Sequence, residues 1–596
     1  EEYEKAKQQL EKSWNEYGYQ TPDVAYALGL SLVDLHRKGI LQADSISQRK
    51  VREAKKEALH RMYRIPALQF IAKGKGAQAE AVEYIEALVA FMDRDYVRAI
   101  QKAEECVRKL PWFYPADKLR GDVYLNLGER KNESGKTQEA LQYYRLARQA
   151  YQEAIRKAPS FHPAYENLAT NQEAIMEVKI YQTSDPFQED FELALKAAKS
   201  AITINPRSAS AYRMKSSVSW RWGEHLLYHD QDPRPILKSA VESARMAIQL
   251  APNEHDTYNN LGAASELHGR YELSHGMDAA ASYQEAIRAY NKAVQLNPNS
   301  EFANNALGNA YLFLGIYENS RGRNSKGTLQ KALFSYEKAM QVGANRYAVY
   351  CNQGLSYLAL AEHEWNSGRS PEVFLRNAVK SARQCIEISP NFAYCHRIIG
   401  SAFVSLGEFE LQRGQSPESS IEAARSALQK AIEVKKDFNQ TWLYVGKLET
   451  VEARWKMANA KSPVPNFTKA KEALKEAIRI SPDYAEAYAA LAELCRFQSE
   501  WQLSHKQSAQ NTLREGLAAA DKALLIHPSF AAAKATKAYL YELQASTMGN
   551  TAAREQLLRL AETSLQQAFA INPLLRNQYN DLDPKIQNAK KSLQKS

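Results

Sequence analysis

The sequence predicts an all-α protein, a solenoid of about ten helix pairs built on a 46-residue repeat. Three observations predict it: a proline-centred turn with a fixed period, a small residue at one place in every unit, and an N-cap residue followed by proline near the middle of many units. The turn is plainest at Asn297-Pro298-Asn299, Ser389-Pro390-Asn391 and Ser481-Pro482-Asp483. It recurs at Pro111, Pro159, Pro206, Pro252, Pro298, Ala344, Pro390, Lys436, Pro482, Pro528 and Pro573, with spacings of 45 to 48 residues. A period held that closely marks a repeat array.

Each unit is read from its leading turn. One residue later stands an N-cap type, Ser160, Asn253, Asn299, Asn345, Asn391, Asp437, Asp483 or Ser529, whose side-chain oxygen is expected to take up an orphan N–H and start a first helix. Ten residues after the turn the side chain is small in all ten units, as at Gly121, Gly308, Gly400 and Ala492. Glycine inside a helix costs about 1 kcal/mol against alanine, so its recurrence predicts close approach of a neighbouring helix. Aromatic residues at six (Tyr165, Tyr258, Tyr350, Trp442) and at nineteen (Tyr271, Tyr317, Trp501) are expected in the core, with a ligand-stacking surface as the alternative.

About twenty-six residues after the turn come Asp185-Pro186, Asp232-Pro233, Ser370-Pro371, Ser416-Pro417 and Ser462-Pro463. Proline at the first helical position loses no bonded N–H, so a second helix is predicted to begin at each. That helix carries alanine five residues before the next turn, replaced by cysteine at Cys106 and Cys385. A buried thiol packs as a small hydrophobe, and both cysteines are expected to act as alanine substitutes.

A helix pair with an aromatic, Leu-Gly, Ala and Pro at these places, as in Tyr258-Asn259-Asn260-Leu261-Gly262 with Ala293 and Pro298, resembles the tetratricopeptide repeat (TPR). The resemblance implies a right-handed superhelix of helix pairs, with roughly twelve residues beyond the usual 34 lengthening the helices around the turn. The lengthened form, seen from Gly407 to Gly414 before Ser416-Pro417, is similar to repeat regions found C-terminal to bacterial serine/threonine kinase domains. That likeness implies a sensing or docking region.

Three regions follow. Residues 1–110 read as an N-terminal helical cap, with helices around Tyr26 to His36 and Gln48 to Met62, a loop at Lys73-Gly74-Lys75-Gly76, and an ordinary-length TPR-like unit from Ala81 to Leu110. Residues 111–573 hold the ten long repeats, and 574–596 form a polar cap or tail. The chain opens Glu1-Glu2-Tyr3, which suits a fragment or processed product.

Composition excludes several classes. Hydrophobic residues make up 44% and charged residues 24%, with no apolar run long enough to span a bilayer. The five cysteines are too few and too irregular for a disulfide framework, and with no CxxC pair they suggest neither zinc nor an oxidising compartment; a cytoplasmic location is mildly preferred. The net charge of +10 comes from interspersed rather than blocked residues, which makes nucleic acid an unlikely partner. Gly135-Lys136-Thr137 has the end of a phosphate-binding loop without its first glycine, and kinase signatures are missing. No enzyme activity, cofactor or metal is expected.

What remains is a binding groove. The resemblance places the residues seven and eleven after each turn on the concave face, among them Lys118, Arg213, Asn259, Asn305, Asn309, Arg397 and Lys447. Amide and cationic donors there resemble the carboxylate-gripping pattern of peptide-binding TPRs and imply an acidic protein or peptide partner; the alternative is a solvated polar face. Self-association of the repeats and RNA binding are the competing functions.

Overall fold

The computed structural model describes residues 2–44, 49–74, 81–183, 186–229, 231–343 and 347–595. The turn residues Ala344 and Asn345, Asp185, and Lys75-Gly76 lie outside them. All regular structure among the described residues is helical.

The repeat arithmetic is visible in the helix lengths. From His255 to Ile526 a first helix of 20 residues alternates with a second of 17, as in Glu301–Ser320 with Lys326–Val342 and Ala393–Gln412 with Glu418–Val434. The extra length over an ordinary TPR is therefore helix, as the spacing predicts. The unit from Pro159 to Pro206 is one residue longer than 46, and there the first helix, His162–Val178, ends in a π-helical turn, Lys179–Thr183, whose wider loop absorbs an added residue.

The small residue at ten makes room for the second helix. A Cβ on Gly308 would lie 2.4 Å from the ring of Tyr336, and one on Gly446 would lie 2.5 Å from Leu474. Tyr144, Tyr151, Tyr283, Tyr290 and Tyr336, all on second helices, are among the largest fully buried side chains. The alanines five before each turn, Ala293, Ala339, Ala431, Ala477 and Ala523 among them, are wholly buried.

Four expectations are corrected. Ser160, Asn391, Asp437, Asp483 and Ser529 do not cap their first helices: the N-cap position falls one residue later, on Phe161, Phe392, Phe438, Tyr484 and Phe530, none of which caps through its side chain. Rings there stack on the neighbouring repeat instead, with Tyr347–Phe392 at 4.8 Å and Tyr394–Phe438 at 4.5 Å. The residue at six is not simply core. Tyr165, Tyr258 and Trp442 donate to the carbonyls of Pro159, Pro252 and Lys436 at 3.1, 3.1 and 2.8 Å, tying the helix to its leading turn. Second helices begin after Ser370 and Ser416, but at Glu372 and Glu418, so each proline is the N-cap residue rather than the first helical one. Cys385 is not only an alanine substitute, because it is disulfide-bonded to Cys395 at the start of the next helix, whereas Cys106 is a buried thiol pushed up to about 11 by burial.

The chain forms two compact units. The first comprises Glu1–His225, Pro235–Ala264 and Lys292–Ser300; the second comprises Leu226–Arg234, Ser265–Asn291 and Glu301–Ser596. In unit 1, helix Pro22–Asp44 packs Leu28 and Leu32 against Ile71 and Ile85, ahead of the short pair Val82–Met92 and Tyr96–Lys109. Asp95 caps the second of these, accepting from the Arg98 N–H at 3.1 Å. In unit 2 the six pairs from Glu301 to Ile571 end in a short 3-10 turn, Pro573–Asn577, and a helix, Leu582–Lys595. Leu582 and Ile586 of that helix are fully buried against Tyr539 and Leu565, while Lys585 and Lys590 face out.

Candidate peptide-binding site

The first helices carry the candidate residues, and the two units differ in what they leave available. In unit 1, Lys118 pairs with Asp122 at 2.6 Å, and Asp122 also accepts from Tyr151 at 3.0 Å and Asn167 at 2.7 Å. Its charge is spent inside the fold. Arg213 faces Asp256 on the next first helix. Burial alone would raise the Asp256 carboxyl, but His255 at 3.1 Å, the Arg213 charge and a hydrogen bond from Asn259 outweigh it and hold the carboxyl low. Arg213 and Asn259 thus join one cluster around an acid already present.

A cavity of about 610 Å³ in unit 1, lined by Arg145, Arg148, Lys179 and Asp190, is a weaker candidate. Asp190 is 3% exposed and neutralises both Arg148 and Lys179, so the cations at its wall have their anion.

In unit 2, Asn305 accepts from Asn352 at 3.3 Å, and Asn309 accepts from the Tyr336 hydroxyl at 2.8 Å, which braces first helix against second. Arg397 is different. It is 5% exposed, its Nε has no partner, and among the described residues no hydrogen bond or ion pair reaches its guanidinium. It lies 5.7 Å over the ring of Phe438. Its charge acts on Cys351, Tyr394 and Tyr484: burial pushes the Cys351 thiol up to about 12 and raises both phenols, and Arg397 opposes each shift. The Cys385–Cys395 disulfide sits two residues before it and shares a core cluster with Cys351. Nε is the guanidinium nitrogen buried without a partner, and a buried donor left unmade is unfavourable, so an acceptor reaching this position would complete it.

Lys447 is exposed, stands 5.3 Å over the Tyr444 ring, and faces Glu362 and Glu486. Those two carboxyls touch solvent but are enclosed by protein on most sides, which raises both above the usual carboxylate range against the pull of Lys447. Sequence reasoning took only positions seven and eleven. Tyr394 and Glu486 at four and Glu362 at eighteen continue the same helical stripe, and extending the three-and-four spacing along the helix finds them.

Among the described residues there is no cluster of side chains able to hold a metal, and no helix is long and apolar enough to cross a membrane.

Residues 282–315 match the family model described as "TPR repeat". Comparison with curated proteins gives no match. Among solved structures, the thermophilic TPR protein TTC0263 of Thermus thermophilus is 18% identical over 40% of this chain and 99% of its own, with a TM-score of 0.28. Yeast Tom70 is 13% identical over 94% of this chain and 99% of its own, with a TM-score of 0.36. Human IFIT1, in a dimer with m7Gppp-AAAA, is 13% identical over 82% of this chain and 90% of its own, with a TM-score of 0.37. The chain thus carries a TPR repeat at residues 282–315 within an all-helical, TPR-like solenoid of packed helix pairs.

Proposed function

We propose that the protein is a non-catalytic scaffold that binds an extended, acidic peptide segment on the first-helix faces of unit 2. The observation that carries this reading is Arg397, a buried cation walled by Tyr394, Phe438 and Tyr484 and lacking an anion. A carboxylate from a partner would supply charge-assisted hydrogen bonds to the guanidinium, and the rings would flank its chain. Lys447, with Glu362 and Glu486 beside it, extends the surface for neighbouring polar groups. In its narrowest form the proposal is the docking region of a bacterial serine/threonine kinase, which a kinase domain encoded on the same polypeptide would test.

The experiment is titration of a labelled Asp- and Glu-rich peptide against the protein and its Arg397→Met variant. Loss of one charge-assisted contact of about 1.5–3 kcal/mol should weaken binding by roughly ten- to a hundredfold. Rising salt should weaken the parent. Arg213→Met, beside its own Asp256, should bind nearly as the parent does. Equal binding by Arg397→Met overturns the site. Light scattering that shows mass growing with concentration would favour self-association, and tight, steeply salt-dependent oligonucleotide binding would favour RNA.

A further inference from the structure

Turns 211 to 253 residues apart touch within unit 2. Ser529 donates to the Gly276 carbonyl at 2.7 Å, Asn572 to the Asn319 carbonyl at 3.1 Å, Asn577 to the Asn366 carbonyl at 2.8 Å, and Gln578 to Asn366 Oδ1 at 2.7 Å. On one side are the turns that follow the first helices His255–Ser274, Glu301–Ser320 and Tyr347–Asn366; on the other are the turns that follow the second helices Gln510–Ile526 and Thr551–Ile571. A spacing of 253 residues thus recurs at two successive repeats, and the Asn366 contacts, at spacings of 211 and 212 residues, continue them into a seam.

Glycine records how close the seam is. Gly276, Gly322, Gly368 and Gly414 occupy the same repeat position with φ of +68°, +64°, +75° and +69°. A Cβ on Gly276 would lie 2.8 Å from His527 Nδ1, and one on Gly322 would lie 2.4 Å from Asn572 Oδ1; one on Gly414, beyond the seam, would meet nothing. At the two following repeats the position is Ala460 and Lys506, still left-handed. The backbone demand persists along the array, while the demand for space falls on Gly276 and Gly322; at Gly368 the nearest atom, Asn577 Nδ2, is 3.9 Å away.

We infer that this seam closes unit 2 into a full superhelical turn around the first-helix interior, and that the partner fitted to that interior is a linear segment with a free end, entering along the axis. First-helix side chains of non-adjacent repeats come near one another: Lys447 acts on Glu362 two repeats earlier, and Tyr394 feels the charges of Tyr228 and Arg270, which are themselves hydrogen-bonded at 3.2 Å. A partner with a folded domain at each end must wait for the seam to open. The identity of the interior as the binding surface rests on the function proposed above; the closure does not.

The first test needs no peptide. Lys447→Cys places a thiol in the interior and Leu525→Cys one on the exposed outside, where Leu525 is 73% exposed; the native free cysteines are buried. With the seam intact, a bulky polyethylene-glycol maleimide should label position 447 at least about tenfold more slowly, relative to a small maleimide, than position 525. Adding Ser529→Ala, Asn572→Ala and Gln578→Ala should bring the two ratios together. Equal ratios with the seam intact, or no change on cutting it, overturn the closure. Should the triple variant fail to melt cooperatively, Ser529→Ala alone, which removes one surface bond, should shift the ratio in the same direction. The second test uses the acidic peptide with a folded domain fused to each end. Its association should be roughly tenfold or more slower than that of the free-ended peptide, and cutting the seam should restore it. If neither peptide binds while the labelling ratios behave as stated, the function fails and the closure stands; if the doubly fused peptide binds as fast as the free one, end-on entry is wrong.

Discussion

The side-chain amide of Asn572 donates to the backbone carbonyl of Asn319, 253 residues earlier in the chain, at 3.1 Å and out of solvent. The same side chain accepts from the Leu574 N–H at 3.1 Å, starting the 3-10 turn that leads to the terminal helix. Asn572 therefore has two separable jobs, a local turn and a long-range tie.

Asn572→Asp keeps the acceptor for Leu574 and loses the donor to Asn319; Asn572→Ala loses both. The Asn319 carbonyl keeps the Gly322 N–H at 3.0 Å, so losing the long-range tie costs about 0.5–1.5 kcal/mol, the net worth of one hydrogen bond, and a lost cap adds about 1 kcal/mol. Both variants should lower the melting temperature, with Ala lower than Asp. If Asp melts with the parent, the long-range bond contributes nothing to stability.

Two glycines with nearly equal φ should respond differently. Gly414→Ala meets only the backbone strain of the left-handed region, about 1–2 kcal/mol, and Ala460 shows that the repeat tolerates alanine there. Gly322→Ala adds a Cβ 2.4 Å from Asn572 Oδ1 and 2.9 Å from Pro573. Gly322→Ala should therefore melt clearly below Gly414→Ala. Indistinguishable melting would mean that the two turns are not pressed together.

How much of this was legible in the sequence depends on range. The period, the second-helix starts after Ser370 and Ser416 and the slot at Gly308 are set by neighbours within one repeat, and pattern reading reached them. Phe392 and Phe438 pack against rings of the preceding repeat, which displaced the expected caps, because an aromatic contact across repeats outranks a side-chain cap that spacing alone cannot weigh. Arg397 was picked out by position, but sequence could not show that it lacks an anion while Lys118 has Asp122. The seam joins residues more than two hundred apart, and only the return of glycine at Gly276, Gly322 and Gly368 hinted at it.

Cap geometry gives a graded prediction. Ser416 Oγ lies 3.5 Å from the Glu418 N–H, too long for a strong bond, so Ser416→Ala should cost no more than a few tenths of a kcal/mol, below the usual value of about 1 for an N-cap. Asn550 accepts from the Ala553 N–H at 3.1 Å and starts helix Thr551–Ile571, so Asn550→Ala should cost about 1 kcal/mol. Thermal melts of the two variants side by side decide it; equal losses would show that the serine caps in solution.

Acid should loosen the protein before its paired carboxylates titrate. Burial lowers His527 from 6.5 to about 4; the nearby Arg321 and His275 push the same way, against a hydrogen bond with the Leu273 backbone. Burial also lowers His36 to about 4, helped by His60 at 2.8 Å and by Arg64. A histidine held below its unfolded value takes up its proton mainly on unfolding, so its contribution to stability is complete above about pH 6.5 and is lost as pH falls toward 4. Paired carboxylates such as Asp232, held low chiefly by its hydrogen bond from Arg234, lose their contribution only at lower pH. The melting temperature should thus fall between about pH 6.5 and 5, and the fall should shrink in a His36→Gln, His527→Gln double variant compared with the parent. His527 abuts Gly276 at the seam, so the same acidification should raise the ratio of bulky to small maleimide labelling at position 447, and His527→Gln alone should remove that rise. A double variant whose melting temperature falls as steeply as the parent's over this range would show that other groups carry the acid response.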